Sequence, residues 1–142
     1  MKTIEGDLLD INEGLICHQV NICGVFNAGL AKQIRIKYPI VFEWYNKRYK
    51  SNLWTLGDVQ AVKVTDKLTV ANIAAQATYG RSGLHTNYDA LNQGFKKIAD
   101  KFKGQIYIPE KIGCGLAGGD WEIVFDMIEK ELPQAIIIRK IG

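Results

Sequence analysis

Residues 108–121, IPEKIGCGLAGGDW, join a predicted β-strand to a predicted helix through a glycine-rich loop. The strand covers 105–109, and Asp120 is placed to cap the helix, which extends through Leu132 before Pro133. Glycine lets backbone N–H groups approach a ligand closely and adopts positive φ without steric cost. Because the first N–H groups of a helix have no partner within it, a loop of this kind favours a bound phosphate.

Another glycine-rich loop, the first in chain order, occupies the same kind of junction nearer the start of the chain. Residues 21–31, NICGVFNAGLA, follow a predicted strand over 15–20 and precede a predicted helix over 30–38. Either loop by itself is better explained by a tight turn than by a phosphate site. Together, at the carboxyl ends of two strands, they predict a cleft that holds a diphosphate from both sides. Neither loop has the P-loop spacing or a dinucleotide fingerprint, so neither supports a nucleotide triphosphatase or an NAD-dependent dehydrogenase.

The rest of the chain alternates between strand and helix patterns. We predict strands over 59–65, 69–75 and 135–138, and helices over 41–49 and 88–102. Thr86 is the candidate N-cap of the later helix. The earlier helix has a broad apolar face formed by Val41, Phe42, Trp44, Tyr45 and Tyr49. This order predicts a three-layer α/β/α fold with a central sheet, in one domain over residues 1–142.

Composition excludes several classes of protein. The 142 residues are 47% hydrophobic and carry a net charge of +3, which is too weak a bias to indicate a nucleic-acid-binding surface. The lysines at 96, 97, 101 and 103 are therefore expected on a solvated helix face, with a nucleic-acid patch as the minority alternative. Two histidines without metal-ligand spacing indicate neither a metal site nor another cofactor.

Cysteine usage and hydropathy bear on the compartment. Three cysteines without a CxxC pair argue against a disulfide scaffold, the first residues lack a signal-peptide core, and no apolar run is long enough for a membrane span. We expect a reduced, cytoplasmic protein that does not contact a membrane. A monomer is the default, since the chain has no heptad pattern.

The order of motifs resembles the macrodomain family. Gly6-Asp7-Leu8-Leu9 comes first, Asn21 and the AGLA of 28–31 follow, and IGCGLAGGDW stands far downstream. The resemblance covers essentially the whole chain and is nearest to the branch that contains the yeast-type ADP-ribose 1''-phosphate phosphatase and the terminal ADP-ribose protein glycohydrolase. It implies a mixed central sheet and a cleft for ADP-ribose or ADP-ribose 1''-phosphate. ADP-ribosylated macromolecules are a further class of partner that it implies.

The same resemblance implies roles for particular residues. Asp7 would accept a hydrogen bond from the adenine amino group, although its alternative is to cap a turn. Asn21 would face the distal ribose, although its alternative is to bond its own backbone. The implied ligand-binding residues are Asp7, Leu8, Asn21, Gly24, Ala28, Gly29, Leu30, Ile112, Gly113, Cys114, Gly115, Leu116 and Ala117.

Catalysis is expected from His18, Asn21 and Asp120. In the phosphatase branch a histidine at the position of His18 is the proposed catalyst, and an imidazole beside a phosphate can act as nucleophile or acid–base. The alternative is a histidine hydrogen-bonded inside the sheet layer. Asp120 would pair with His18 or position water, and its alternative is the helix cap already mentioned. The implied activity is hydrolysis of the terminal phosphate of ADP-ribose 1''-phosphate. One alternative is a hydrolase that removes ADP-ribose from a macromolecule without a lysine nucleophile. The other is a reader that binds ADP-ribose without catalysis.

Two positions depart from the glycohydrolase branch. Gln76 and Ala117 stand where that branch places its nucleophilic lysine and its aspartate. Without an amine, no covalent ribosyl intermediate can form there. Ala117 also replaces an aromatic residue over the distal ribose, so Phe26 or Tyr79 would cover the cleft, unless Phe26 belongs to the core.

Overall fold

A computed structural model describes residues 1–80 and 82–141. A short 3₁₀ helix, Leu8–Asp10, follows the first strand. The strands are β1 Lys2–Glu5, β2 Gly14–Asn21, β3 Val59–Lys63, β4 Leu68–Gln76, β5 Ile106–Pro109 and β6 Ile136–Arg139. The helices are α1 Gly29–Lys37, α2 Pro39–Lys50, α3 Tyr88–Lys101 and α4 Trp121–Glu131.

The strands form one mixed sheet in the order β1-β6-β5-β2-β4-β3. All neighbouring pairs are parallel except β3 with β4, which is antiparallel. The carboxyl ends of the five parallel strands therefore meet at one edge of the sheet. The register of β2 against β4 shifts between Val20 and Asn21, at that edge.

Each face of the sheet carries a hydrophobic core and two helices. On one face, Ile16, Val20 and Val70 pack with Ile34 of α1 and Tyr45 of α2. On the other face, the core joins residues of the sheet to α3 and α4 through, among others, Leu15, Ile73, Phe95, Val124 and Ile128. The predicted three-layer α/β/α fold is confirmed, since helices cover both faces of a sheet whose central strands are buried.

Two sequence predictions are wrong in detail, and two elements were not predicted. The N-cap of α3 is Asn87, whose side chain accepts from the Ala90 N–H, because the Thr86 hydroxyl is already donated to the Gly113 carbonyl. The apolar face of α2 is narrower than expected, since Trp44 and Tyr49 are exposed. Strand β1 and the 3₁₀ helix were missed, because both segments are short and β1 is mostly solvent-exposed.

Candidate functional site

A cavity of about 870 Å³ opens at the sheet edge where the parallel strands end. Its lining comes from the segments after β1, β2, β4 and β5 and from the end of β6. Open α/β sheets bind their ligands at this edge, and the volume is in the range of small-molecule sites. Both glycine-rich loops contribute to the lining, as the sequence predicted.

The first loop, residues 21–31, presents unpaired backbone donors. Within the described part of the chain, no acceptor pairs with the N–H groups of residues 26–31. Ala28 is the N-cap of α1 and offers no side-chain oxygen, whereas Asn87 and Asp120 cap α3 and α4. The N-terminus of α1 therefore keeps its free donors and its positive dipole end beside the cavity, an arrangement suited to an anion.

The second loop, residues 112–117, also presents unpaired donors. The N–H groups of Gly113, Gly115, Leu116 and Ala117 meet no acceptor among the described residues. The Ala117 carbonyl is tied back to the segment before α3, since it accepts from the N–H groups of His85 at 2.6 Å and Thr86 at 3.2 Å. These bonds hold the loop against the cavity while its own donors stay free.

A partly buried polar network supports the second loop from the sheet. The Gln19 amide nitrogen donates to the Gln76 side-chain oxygen and to the Thr86 hydroxyl, both at 2.9 Å. The Thr86 hydroxyl in turn donates to the Gly113 carbonyl at 2.5 Å. Gly113 adopts φ of 73°, and a Cβ built there would lie 2.8 Å from the Gln19 oxygen. Only glycine fits this contact without displacing the network.

Asn21 lies beneath the first loop and lines the cavity. Its side-chain nitrogen donates to the Val25 carbonyl at 2.8 Å. Its side-chain oxygen accepts from the Cys23 N–H at 2.9 Å and lies 2.9 Å from the Tyr45 hydroxyl. The amide thus holds the loop in place, and its contact with a ribose stays a prediction.

His18 lies at the floor of the cavity with only 2% of its surface exposed. Its Nε2 lies 2.5 Å from the Asn72 side-chain oxygen, and its ring packs edge-on against Phe26 at 5.3 Å. Burial lowers the pKa of His18 to about 4, against a smaller upward effect of the Asn72 hydrogen bond, so the ring is neutral at pH 7. A neutral imidazole can accept a proton or attack as a nucleophile, but it cannot supply a positive charge.

Asp120 is the N-cap of α4 and does not line the cavity. Its carboxylate accepts from the Glu122 N–H at 2.9 Å. The structure does not bring Asp120 into hydrogen-bond contact with His18, whose side chain is bonded to Asn72. Any catalytic role of Asp120 stays a prediction.

Asp7 caps the 3₁₀ helix and also lines the cavity. One carboxylate oxygen accepts from the Leu9 N–H at 2.9 Å, which is the turn-capping alternative considered from the sequence. Asp7 and the buried Leu8 form the wall that follows β1. Because a carboxylate has two oxygens with several lone pairs, the cap leaves acceptor capacity for a ligand.

Most of the predicted ligand-binding residues lie together in the lining of this cavity. They are Asp7, Leu8, Asn21, Ala28, Gly29, Leu30, Ile112, Gly113, Gly115, Leu116 and Ala117. Gly24 and Cys114 lie outside the lining. The Gly24 N–H donates to the Tyr45 hydroxyl at 3.1 Å, and Cys114 packs against the core beneath α3 and α4. Their direct contact with a ligand stays a prediction.

Sequence reasoning missed two cations at the cavity. Lys111 directly precedes the second loop and Lys140 follows β6, and both line the cavity. Lys111 has a φ of 66°, which is uncommon outside glycine. A positive charge next to the IGCG motif was the available signal for Lys111. Lys140 reaches the site only because β6 pairs with β5.

The aromatic residues proposed to cover the cleft differ in their surroundings. Phe26 is buried and packs against Phe42 and Tyr45, with ring centroids at 5.6 and 4.9 Å, so it belongs to the core as well as to the cavity floor. Tyr79 is 57% exposed and lines the cavity. Of the two, only Tyr79 is exposed at the cavity and not packed in the core.

Lysines of α3 make contacts with their own protein. Lys97 donates to the Gly57 carbonyl at 2.8 Å, and Lys96 lies 3.9 Å from the Glu131 carboxylate.

In the described ranges there is no cluster of three potential metal ligands. None of the described helices has the length and hydropathy of a membrane span.

Several solved structures share this architecture, whereas the chain matches no protein-family model and no curated protein. A Bacteroides thetaiotaomicron protein of unknown function is 33% identical over 99% of this chain and 97% of its own, with a TM-score of 0.89. The macrodomain of Mycobacterium tuberculosis DarG is 25% identical over 99% and 97%, with a TM-score of 0.79. Thermosipho africanus DarTG, solved in complex with ADP-ribose, is 17% identical over 99% of this chain and 42% of its own, with a TM-score of 0.80. The chain therefore belongs to one family with the Bacteroides thetaiotaomicron protein, and its fold is that of the macrodomains.

Proposed function

We propose that the cavity binds ADP-ribose and that the protein is a hydrolase acting on the terminal phosphate of ADP-ribose 1''-phosphate. The observation that carries the proposal is the pair of loops that border one cavity, because their N–H groups at 26–31, 113 and 115–117 meet no acceptor among the described residues. A diphosphate between them would satisfy donors that the protein itself leaves free. Lys111 and Lys140 add positive charge at the same cavity.

The two ends of the cavity suit the two ends of this ligand. Asp7 offers a carboxylate oxygen to the adenine amino group, and the neighbouring Leu8 offers an apolar wall. Asn21 and the start of α1 lie on the side of the distal ribose and the terminal phosphate. The ADP-ribose complex of Thermosipho africanus DarTG, which has the same fold, supports this choice of ligand.

The chemistry is a phosphate-ester hydrolysis in which positioning and electrostatics dominate. Water attacks phosphorus, the bond between phosphorus and the ribose oxygen breaks, and its electron pair stays on that oxygen. His18 takes the proton from the water and returns it to the leaving oxygen. A phosphate bound beside the ring would raise the pKa of His18 and so strengthen it as a base.

A route through a nucleophilic lysine at position 76 is disfavoured, since that position holds a glutamine. Gln76 occupies the place expected for a nucleophilic amine, and its amide is held by Gln19 at 2.9 Å and by the Thr78 carbonyl at 3.3 Å. The depth of His18 favours a second candidate, a reader that binds ADP-ribose without chemistry, because a ring this buried reaches a ligand only if the ligand enters fully.

Calorimetric titration with ADP-ribose tests the binding site. Gly115 lines the cavity, has no positive φ, and would accept a Cβ without a contact within 4 Å, so it tolerates a side chain. We expect Gly115→Glu to weaken binding at least about tenfold by repelling the diphosphate, equivalent to about 1.4 kcal/mol. Gly115→Gln, of the same shape but neutral, should weaken it less. Absence of binding by the wild type at high micromolar ligand would overturn the site, and equal losses in both variants would overturn the diphosphate placement.

Phosphate release from ADP-ribose 1''-phosphate tests the reaction. The wild type should release phosphate, and His18→Asn should still bind ADP-ribose, with an affinity reduced by no more than about tenfold, while losing release. His85→Gln serves as the control histidine, since His85 is absent from the cavity lining. Binding without any release by the wild type would reject the phosphatase and leave the reader.

A further inference from the structure

A chain of hydrogen bonds runs from His18 across the sheet to α2. The His18 Nε2 lies 2.5 Å from Asn72 Oδ1, and Asn72 Nδ2 donates to Gln60 Oε1 at 3.0 Å. Gln60 Nε2 donates to the backbone carbonyl of Trp44 at 3.1 Å. These residues belong to β2, β4, β3 and α2 in turn. Asn72 is fully buried, so the centre of the chain is shielded from water.

The Trp44 carbonyl at the end of this chain of hydrogen bonds determines how each side-chain amide along it is oriented. A backbone carbonyl can only accept, so Gln60 must turn its nitrogen toward Trp44 and its oxygen toward Asn72. Asn72 must then turn its nitrogen toward Gln60 and its oxygen toward His18. An amide oxygen can only accept as well, which requires the proton of a neutral His18 to reside on Nε2.

We propose that Asn72, oriented by Gln60, is a positioning residue that holds His18 in the Nε2–H tautomer and leaves Nδ1 as an acceptor for a hydroxyl group at the candidate site. The acceptor role of Nδ1 at the site rests on the proposed function, whereas the tautomer of His18 does not. Nδ1 is buried and finds no hydrogen-bond partner anywhere in residues 1–80 and 82–141. A buried acceptor without a partner is costly, and a hydroxyl donor would satisfy it.

The Nε2–H tautomer determines which kind of ligand group can contact the His18 ring. A lone pair on Nδ1 repels a phosphate oxygen and attracts the O–H of water or of a ribose. The ring therefore suits a base that receives a proton, as the proposed hydrolysis requires, and does not suit an anion-binding cation. The T-shaped contact with the Phe26 ring limits rotation of the His18 ring, so the tautomer and the position of Nδ1 are fixed together.

Nitrogen-15 NMR of the histidine rings in the ligand-free protein tests the tautomer directly. With only His18 and His85 in the chain, a His85→Gln spectrum assigns both rings. At pH 7 we expect His18 Nε2 to give a protonated-type signal and Nδ1 an unprotonated-type signal. A protonated Nδ1, or a ring protonated on both nitrogens, would overturn the proposal.

The Gln60→Ala variant tests the positioning chain without changing the cavity. Asn72 then loses the partner that fixes its amide, and we expect the second tautomer of His18 to appear in the spectrum. Lys63→Ala is the matched control, because Lys63 is an exposed residue of the same strand. An unchanged His18 tautomer in Gln60→Ala would overturn the role of the chain.

Addition of ADP-ribose separates this inference from the proposed function. Calorimetry on the same sample first establishes binding, and we then expect the Nδ1 signal to move as a hydroxyl donates to it. Binding without any change at Nδ1 would overturn the acceptor role while the ligand assignment stands. Absence of binding would overturn the proposed function, and the acceptor role with it, but would leave the tautomer as measured.

Discussion

The Tyr45 hydroxyl lies 2.7 Å from the Asn21 carbonyl oxygen and 2.9 Å from the Asn21 side-chain oxygen. It also accepts from the Gly24 N–H at 3.1 Å. One residue of α2 thereby ties the end of β2 to the first glycine-rich loop. Burial raises the pKa of Tyr45 well above its usual range, so its hydroxyl stays protonated and remains a donor.

Removal of this hydroxyl should loosen the first loop. In Tyr45→Phe, the Gly24 N–H and the Asn21 carbonyl lose a partner, and we expect the free energy of unfolding to fall by about 1–3 kcal/mol. Urea denaturation measures this change. Tyr49→Phe is the control, because Tyr49 is 38% exposed and should change stability by less than about 0.5 kcal/mol. Equal effects of the two substitutions would show that the hydroxyl of Tyr45 does not hold the loop.

Two glycines of the second loop should respond differently to the same substitution. Gly113→Ala places a Cβ at positive φ and 2.8 Å from the Gln19 oxygen, and we expect a loss of about 1–2 kcal/mol or more. Gly115→Ala meets no atom within 4 Å and should stay within about 0.5 kcal/mol of the wild type. Thermal and urea unfolding of both variants check the contrast. If Gly113→Ala left the free energy of unfolding unchanged, the loop would not be bound tightly to Gln19 and Thr86.

Stability should fall on acidification through the range where His18 titrates in the unfolded chain. The pKa of His18 is about 4 in the folded protein and 6.5 as the ordinary value, so the unfolded state binds more protons between these values. The contribution of neutral His18 to the free energy of unfolding is therefore fully present above about pH 6.5. It is lost as pH falls toward 4, which lowers the free energy of unfolding by up to about 3 kcal/mol. Urea unfolding from pH 7 to 5 measures the slope.

The His18→Asn variant isolates this effect from the carboxylates that titrate at lower pH. Its stability should depend less on pH between 7 and 5 than that of the wild type. If the stability of His18→Asn depended on pH as steeply as that of the wild type, His18 would not cause the acid sensitivity.

Asp120 offers a choice between a structural and a catalytic role. If it only caps α4, Asp120→Asn should keep stability and phosphate release, because asparagine caps about as well as aspartate. Asp120→Ala should lose about 1 kcal/mol of stability through the missing cap. Urea unfolding and phosphate release measured together decide the matter. Loss of release in Asp120→Asn at unchanged stability would instead support the catalytic prediction.

The sequence by itself determined the elements and the edge of the sheet at which a ligand would bind. Glycine spacing and helix signals are local properties, so the loops at 21–31 and 112–117 and the Asp120 cap were predictable from neighbours in the chain. The alternation of strands and helices predicted three layers for the same reason. Errors arose where a residue had a choice of partners, as when Thr86 bonded the Gly113 carbonyl and Asn87 became the cap of α3.

Only the tertiary structure decided what each polar side chain does. Asn72 and Gln60 drew no attention in the sequence, because their importance depends on strand register, which sets them beside His18 and Trp44. Lys140 reaches the cavity only because β6 pairs with β5. Hydrogen bonds between residues far apart in the chain depend on packing geometry, which local propensity does not encode. The cleft was therefore predictable from the sequence, and the chemical state of the histidine at its floor came from the fold.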